Sequence, residues 1–291
     1  MQIIYNIVSG DGKMKKTGKI IISIVAVLLI AICVVLKVYW SDILSILPKS
    51  PVMTDNTEVT LIAHRGFSSV APANTLASIK EAGEADFYGA EFDIRLTADA
   101  KWAVIHNDSV KSMTDGEGNI SEMTLEEIKK LNIDNGYGLD TYPDEKIPTL
   151  EEALEQCKAS DIIPVIEIKL NADQQPDYKE LADIIKSAEC EKVMIIAFSK
   201  DAIVSLKAEL PEAEYWLLLS EISDEDIAYC AENGIDGIDF NANKSENLEY
   251  VDKILDAGLT AGAWTVDSVR MMEKLCDMGV KYITTNTIYK G

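Results

Sequence analysis

The sequence predicts an α/β chain: a TIM (β/α)8 barrel preceded by a single N-terminal transmembrane helix. Three observations carry that expectation. Residues 20–36, IIISIVAVLLIAICVVL, hold no charged residue and come after a lysine-rich start. Beyond residue 58, short β-rich apolar runs alternate eight times with amphipathic helical patterns. The roughly 230 residues that carry this alternation suit one large domain with a full core.

In chain order, residues 1–19 read as a basic segment kept in the cytoplasm. Lys13, Lys15, Lys16 and Lys19 precede the apolar run. Lysines on that side hold the N-terminus inside while the C-terminal part of the chain is translocated. Residues 20–40 read as the span. Seventeen helical residues reach about 26 Å, a little short of a hydrocarbon core of about 30 Å. Lys37 can snorkel, and Tyr39 and Trp40 suit an interface, so extension to residue 40 completes the crossing. A cleaved signal peptide and a buried core helix are the competing readings. No A-x-A-like site lies after the run, which favours an uncleaved anchor. Bulky Ile32 before Cys33 argues against lipid processing there. Residues 41–57 read as a tether and residues 58–291 as the folded domain. The orientation places that domain outside the cytoplasm, on a single-pass protein of the cell membrane.

The strand candidates are TLIA (60–63), AEFDIRL (90–96), PVIEIKL (164–170), MIIAFS (194–199), YWLLLS (215–220), GIDGIDF (234–240), TAGAWTV (260–266) and YITTN (282–286). WAVIH (102–106) reads as an extra strand paired with the second. Between them lie helices with clear boundaries. TLEE occurs at 124–127 and at 149–152, each a capping box, and Ser223 with Asp226 forms a third. Gly234, Gly258 and Gly279 come after helical runs as stops. Strand–helix alternation repeated eight times favours a closed barrel over an open sheet.

The chain has 49 acidic and 27 basic residues. Only Asp11 and five lysines fall in the first forty, which leaves a formal charge of −26 beyond Trp40. Such a surface repels nucleic acid and anionic head groups. It can still handle phosphate if a bound cation reverses the local field. Cys157, Cys190, Cys230 and Cys276 are widely spaced with no C-x-x-C, and read as small buried hydrophobes.

In a barrel of this kind the reactive groups sit at the C-terminal ends of the strands. The first strand ends in His64-Arg65-Gly66, and the extra strand ends in His106-Asn107-Asp108. These are the only two histidines in 291 residues. A pair of groups that titrate near neutral pH can act as general base and general acid across one bond. Glu91 and Asp93 are two apart and share a strand face, as do Glu167 and Lys169. Three carboxylates gathered inside a barrel repel unless a cation sits among them. Oxygen ligands of this kind suit Mg²⁺, Ca²⁺ or Mn²⁺. Zinc fits less well, because taking the histidines as ligands would remove the acid–base pair. Arg65 can grip a phosphate through parallel N–H donors, and Lys169 can add a point charge. Gly66 permits a tight turn beside the ligand. Together these groups read as phosphoryl-ester chemistry.

The motifs HRG (64–66), GAEFDIRLTAD (89–99), VIH (104–106), IPTLEEAL (147–154), IEIK (166–169) and WTV (264–266) resemble glycerophosphodiester phosphodiesterases. That family lies within the wider superfamily of barrels like the phosphatidylinositol-specific phospholipases C. The resemblance covers about residues 58–290. It implies a TIM barrel, a divalent ion, and hydrolysis of glycerophosphodiesters to an alcohol and glycerol 3-phosphate. His64 and His106 match the catalytic histidines, and Glu91, Asp93 and Glu167 match the metal ligands. Arg65 and Lys169 match phosphate-contacting positions, and Trp264 matches a residue near the substrate. There are departures. Pro72-Ala73-Asn74-Thr75 lacks the glutamate of the family's PENT, Asn107 stands where the family often has aspartate, and Thr285-Asn286-Thr287 lacks a proline. Asn74 is expected to cap the helix that begins near Thr75.

Lysophospholipids and envelope polymers are alternative substrates, and attack by a neighbouring substrate hydroxyl would give a cyclic phosphate. A barrel that binds phosphates without turnover is the second class of reading, and the full His and carboxylate set speaks against it. No G-x-S-x-G, Walker loop or H-E-x-x-H occurs. A glycosidase built on Glu91 and Glu167 would leave both histidines idle.

Overall fold

The computed structural model describes residues 50–290. The expected span at 20–40, its basic flank and the first part of the tether lie outside the described residues. Among the described residues, no helix is long and apolar enough to cross a membrane. The later part of the expected tether carries a short strand, β1 (Val52–Thr54). It pairs in parallel with the last strand, β11 (Ile288–Lys290).

Eight parallel strands close into a barrel: β2 (Thr60–Ala63), β3 (Gly89–Leu96), β5 (Ile163–Lys169), β6 (Met194–Ala197), β7 (Glu214–Leu219), β8 (Gly237–Asn241), β9 (Thr260–Trp264) and β10 (Tyr282–Thr285). Closure comes from β10, which pairs with both β9 and β2, and from β2, which pairs with β3. All eight expected strands are present. The extra strand β4 (Trp102–Val104) runs antiparallel on β3, with Ile94 opposite Val104. The predicted TIM barrel is therefore the architecture of the described residues.

The helices start where the sequence places caps. Helix α1 (Leu76–Glu84) begins at Thr75, whose side chain accepts from the Ser78 N–H. Both TLEE segments and the Ser223–Asp226 pair form reciprocal capping boxes, at α2 (Leu125–Ile128), α3 (Leu150–Ala159) and α6 (Asp224–Glu232). Helices α4 (Tyr178–Ser187) and α5 (Lys200–Glu209) are capped by Asp177 and Ser199. Helices α7 (Val251–Asp256) and α8 (Val269–Asp277) complete the outer ring. Glycines 234, 258 and 279 come after α6, α7 and α8 with positive φ, as stop residues should.

Apolar residues pack in three places. The largest cluster lies between the strands and the outer helices and includes Phe92, Ile166, Leu217 and Phe240. A second lies inside the barrel below its mouth, with Ile62, Ile196, Trp216 and Leu218. Trp216 fits there because Gly237 and Gly262 carry no side chain: a Cβ on either would meet its ring at 2.7 or 2.5 Å. A third, with Ile105, Val110, Ile120, Ile128 and Ile147, packs the excursion between β4 and α3. That small core anchors the segment bearing His106. Cys157, Cys190, Cys230 and Cys276 are free thiols, and Cys157 and Cys230 are fully buried, as expected.

Candidate active site

The carboxylates converge because two neighbouring strands run in register. Asp93 on β3 pairs with Glu167 on β5, and Arg95 pairs with Lys169. The period of two turns Glu91, Asp93, Glu167 and Lys169 to the same side, into the barrel. One oxygen from each of Glu91, Asp93 and Glu167 lies within 4.8 Å of the others, and all three residues are buried. Such a cluster is unfavourable without compensation. Burial, then repulsion from Asp93 and Glu167, holds the Glu91 pKa well above the usual carboxylate range. Burial and Asp93 push Glu167 up to about 7. Asp93 differs: burial raises it, but Arg65 and Lys169 outweigh burial and hold it at about 2.

Two oxygens of this cluster, Glu91 Oε1 and Asp93 Oδ1, are buried with no hydrogen-bond partner. Orphaned acceptors cost stability unless a ligand satisfies them. Three convergent hard oxygen donors, one from each carboxylate, fit Mg²⁺, Ca²⁺ or Mn²⁺. The other oxygens of these two residues are already engaged. Glu91 Oε2 accepts the Arg65 N–H at 2.7 Å, and Asp93 Oδ2 accepts from Asn74 Nδ2 at 2.8 Å. Glu91 is thus held by one oxygen and offers the other, while Asp93 Oδ1 lies 3.3 Å from the Lys169 ammonium.

Asn74 corrects an expectation. It does not cap α1, a task Thr75 performs. It sits at φ +59° and turns its amide onto Asp93, accepting the Asp93 N–H at 3.1 Å while donating to the carboxylate. Asparagine tolerates this left-handed backbone better than most residues. The turn before it is equally tight. Gly66 has φ +72°, and a Cβ there would lie 2.5 Å from the Ser78 carbonyl carbon.

The two histidines face the same cavity by the same device. His64 Nδ1 lies 2.8 Å from Asn286 Oδ1, and His106 Nδ1 lies 2.7 Å from Asn107 Oδ1. Asn286 is oriented by Asp267, to which its Nδ2 donates at 2.8 Å and its backbone N–H at 2.8 Å. Its Oδ1 must then accept, so His64 Nδ1 carries the proton and Nε2 presents a lone pair. His64 Nε2 lies 4.0 Å from Glu91 Oε2. Burial, then Arg65, holds the His64 pKa down to about 4. Burial also lowers His106. Both rings are thus pushed towards the neutral form, His64 the further of the two. One departure from the family pattern has a local account: Asn107 supplies the acceptor for His106. Nothing in the structure explains Ala73.

Arg65 Nε lies 3.5 Å from Asp93 Oδ2, and Lys169 Nζ contacts both Glu167 Oε1 and Asp93 Oδ1. Trp264 stands edge-on to Phe198, with ring centroids 5.8 Å apart. A cavity of about 180 Å³ brings together His64, Arg65, Glu91, His106, Glu167, Lys169 and Trp264, with Asp93 against Arg65 and Lys169. All eight residues singled out in the sequence thus meet in one place. A wider groove of about 680 Å³ shares Glu167, Lys169 and Phe198 with it. Sequence reasoning missed Phe198, Asp239, Asp267 and the part played by Asn286. Phe198 and Asn286 lie just past strand ends, a position that could have marked them.

The fold and this cavity together define a barrel enzyme whose reactive groups crown the parallel strands. Comparison with known proteins narrows the class. The chain belongs to the glycerophosphoryl diester phosphodiesterase family, whose model matches residues 64–290. It is 34% identical over 231 residues to a glycerophosphodiester phosphodiesterase of Caldanaerobacter subterraneus, covering 78% of this chain and 93% of that one. A glycerophosphodiester phosphodiesterase of Bacillus subtilis is 31% identical over 256 residues, covering 78% of this chain and 83% of the relative. Among solved structures, a phosphodiesterase of Oleispira antarctica, in complex with the product sn-glycerol-3-phosphate, superposes with a TM-score of 0.72. It shares 27% identity and covers 78% of this chain and 92% of that one.

Proposed function

We propose that this chain is a membrane-anchored, divalent-metal-dependent phosphodiesterase that hydrolyses glycerophosphodiesters to an alcohol and glycerol 3-phosphate. The observation that carries the reading is the convergence of three buried carboxylates, with Glu91 Oε1 left without a partner, beside two histidines whose Nδ1 atoms are already engaged. Glu91, Asp93 and Glu167 would hold the ion, and when bound it supplies charge neutralisation at the phosphate and its developing oxyanion. Arg65 and Lys169 bind the remaining phosphate oxygens. One histidine, neutral, takes the proton of the attacking water at Nε2, and the other, entering as the imidazolium with both nitrogens protonated, delivers its Nε2 proton to the leaving alcohol. Asn286 and Asn107 keep each ring in the tautomer and orientation this requires. Trp264 and Phe198 form an apolar wall beside the substrate, and the adjoining groove leaves room for a larger alcohol.

The purified full chain, stripped with chelator and then given Mg²⁺, Ca²⁺ or Mn²⁺ separately, is expected to release glycerol 3-phosphate from glycerophosphocholine only when metal is restored. Turnover that survives complete stripping would overturn the metal assignment, and the absence of release with every ion would overturn the substrate assignment.

The charge-free run at 20–36, with lysines before it and aromatics after it, supports an uncleaved anchor that holds the domain outside the cytoplasm. Expressed in intact cells, the full chain is expected to stay in the membrane fraction through alkaline carbonate. External protease is expected to remove its domain. Release by carbonate, or full protection, would reject this placement.

A further inference from the structure

We propose that Asp239 is the residue that recognises the glyceryl part of the substrate, accepting hydrogen bonds from its hydroxyl groups at the floor of the cavity. The inference rests on the phosphodiesterase reading and names the group that selects its substrate. Asp239 lies on β8 opposite Gly262 of β9 and Leu218 of β7. It lines the same cavity as His64, Glu91, Glu167 and Trp264. Only 5% of the residue is exposed, and its Oδ1 has no hydrogen-bond partner. The backbone carbonyl of Asp239 accepts from Trp264 Nε1 at 3.2 Å, so this donor is spent on the main chain and not on the carboxylate.

A Cβ on Gly262 would stand 2.5 Å from the Trp216 ring and 3.1 Å from this oxygen, so only glycine fits opposite Asp239. The neighbouring floor is apolar, with Ile196 and Leu218. Asp239 is also not one of the three carboxylates whose oxygens converge as candidate metal ligands. A buried acceptor left without a donor is destabilising. The donor must therefore come with the ligand. Arg65 and Lys169 line the same cavity and supply the donors that phosphate oxygens need, which leaves the substrate hydroxyls as the partners for Asp239. The open groove past Phe198 has room for the head-group alcohol. The two hydroxyls of the glyceryl group are donors of the right kind for this buried carboxyl.

Recognition by hydrogen bonding to a substrate hydroxyl discriminates strongly against the analogue that lacks it. The test uses the full-length, metal-loaded protein and two diesters: glycerophosphocholine, and propylphosphocholine, which lacks both glyceryl hydroxyls. The wild type is expected to prefer glycerophosphocholine in kcat/KM by about 10²-fold or more. Asp239→Leu and Asp239→Asn are expected to erase most of that preference by losing activity on glycerophosphocholine, with propylphosphocholine turnover and the Mn²⁺ requirement essentially unchanged. Equal losses on both diesters, unchanged discrimination, or a raised Mn²⁺ requirement would each overturn the assignment. A binding arm separates this idea from the phosphodiesterase reading. The wild type is expected to bind sn-glycerol 3-phosphate more tightly than propyl phosphate by calorimetry, whether or not it turns over either diester. A protein that hydrolyses neither diester but still discriminates between these ligands refutes the activity and keeps the subsite. Equal affinities refute the subsite. Neither result depends on a variant that folds.

Discussion

Replacing His64 by alanine is expected to lower kcat on glycerophosphocholine by about 10²–10⁴-fold, the usual loss when a positioned acid–base group is removed. That range corresponds to about 2.7–5.4 kcal/mol of transition-state stabilisation. The fold should survive. The His64 side chain makes one close hydrogen bond, to Asn286 Oδ1, and that oxygen also accepts from Ser68 Oγ at 3.1 Å. Truncating the ring therefore orphans no buried acceptor, and the stability change should stay near the ~1 kcal/mol of an ordinary hydrogen bond. His106→Ala should behave alike, because its ring bonds to its own neighbour Asn107 in an exposed pair, where water can take the place of the imidazole. If the two rings serve one concerted proton transfer, the double variant will lose little more than the worse single variant. Turnover and thermal denaturation measured on the same three preparations decide the matter. Retained turnover in either single variant removes that histidine from the mechanism, and a collapsed melting transition makes its role structural.

Local periodicity is the part of this molecule that its sequence makes legible. The E-x-D of β3 and the E-x-K of β5 announce a shared face by spacing alone, and the strand register then brings Asp93 beside Glu167. The capping boxes at Thr124, Thr149 and Ser223 are short local patterns, and each stands where its motif places it. The residues that escape a sequence reading act over distance. Asn286 meets His64 across 222 positions, and no window of sequence contains both. Asn74 resembles a cap because it stands one residue before the true cap, Thr75, while its partner Asp93 lies 19 positions away. Asp239 sits inside the apolar run GIDGIDF, where a carboxylate looks like an interruption of a strand. Its meaning depends on the cavity it shares with His64, Glu91 and Glu167, which lie on or just after other strands.

The second large effect is expected at the metal. Asp93→Ala would raise the metal requirement, but it is a blunt test. Asp93 also holds Asn74, Arg65 and Lys169. Removing one partner from a buried charge network costs about 3–5 kcal/mol of stability on its own account. Glu91→Gln is the sharper substitution. Its amide oxygen can still accept the Arg65 N–H that Glu91 Oε2 accepts now. Its charge is the one least favoured by its surroundings, since burial and the charges of Asp93 and Glu167 all push the Glu91 carboxyl towards its neutral form. Neutralising it relieves repulsion in the metal-free protein and takes a charged ligand from the metal-bound one. The expected result is therefore a pair of opposed shifts. Without metal, Glu91→Gln melts at or above the wild-type temperature. With metal, the stabilisation, which grows as RT ln(1 + [L]/Kd), shrinks because Kd rises. The concentration of Mn²⁺ needed for half-maximal turnover should climb by at least the ~10–100-fold seen for lost outer-shell partners, since this residue is a ligand itself. If the variant melts lower than wild type without metal and keeps its metal requirement, Glu91 is a structural carboxylate held by the Arg65 turn. The ion would then have to be carried by Asp93 and Glu167 without it.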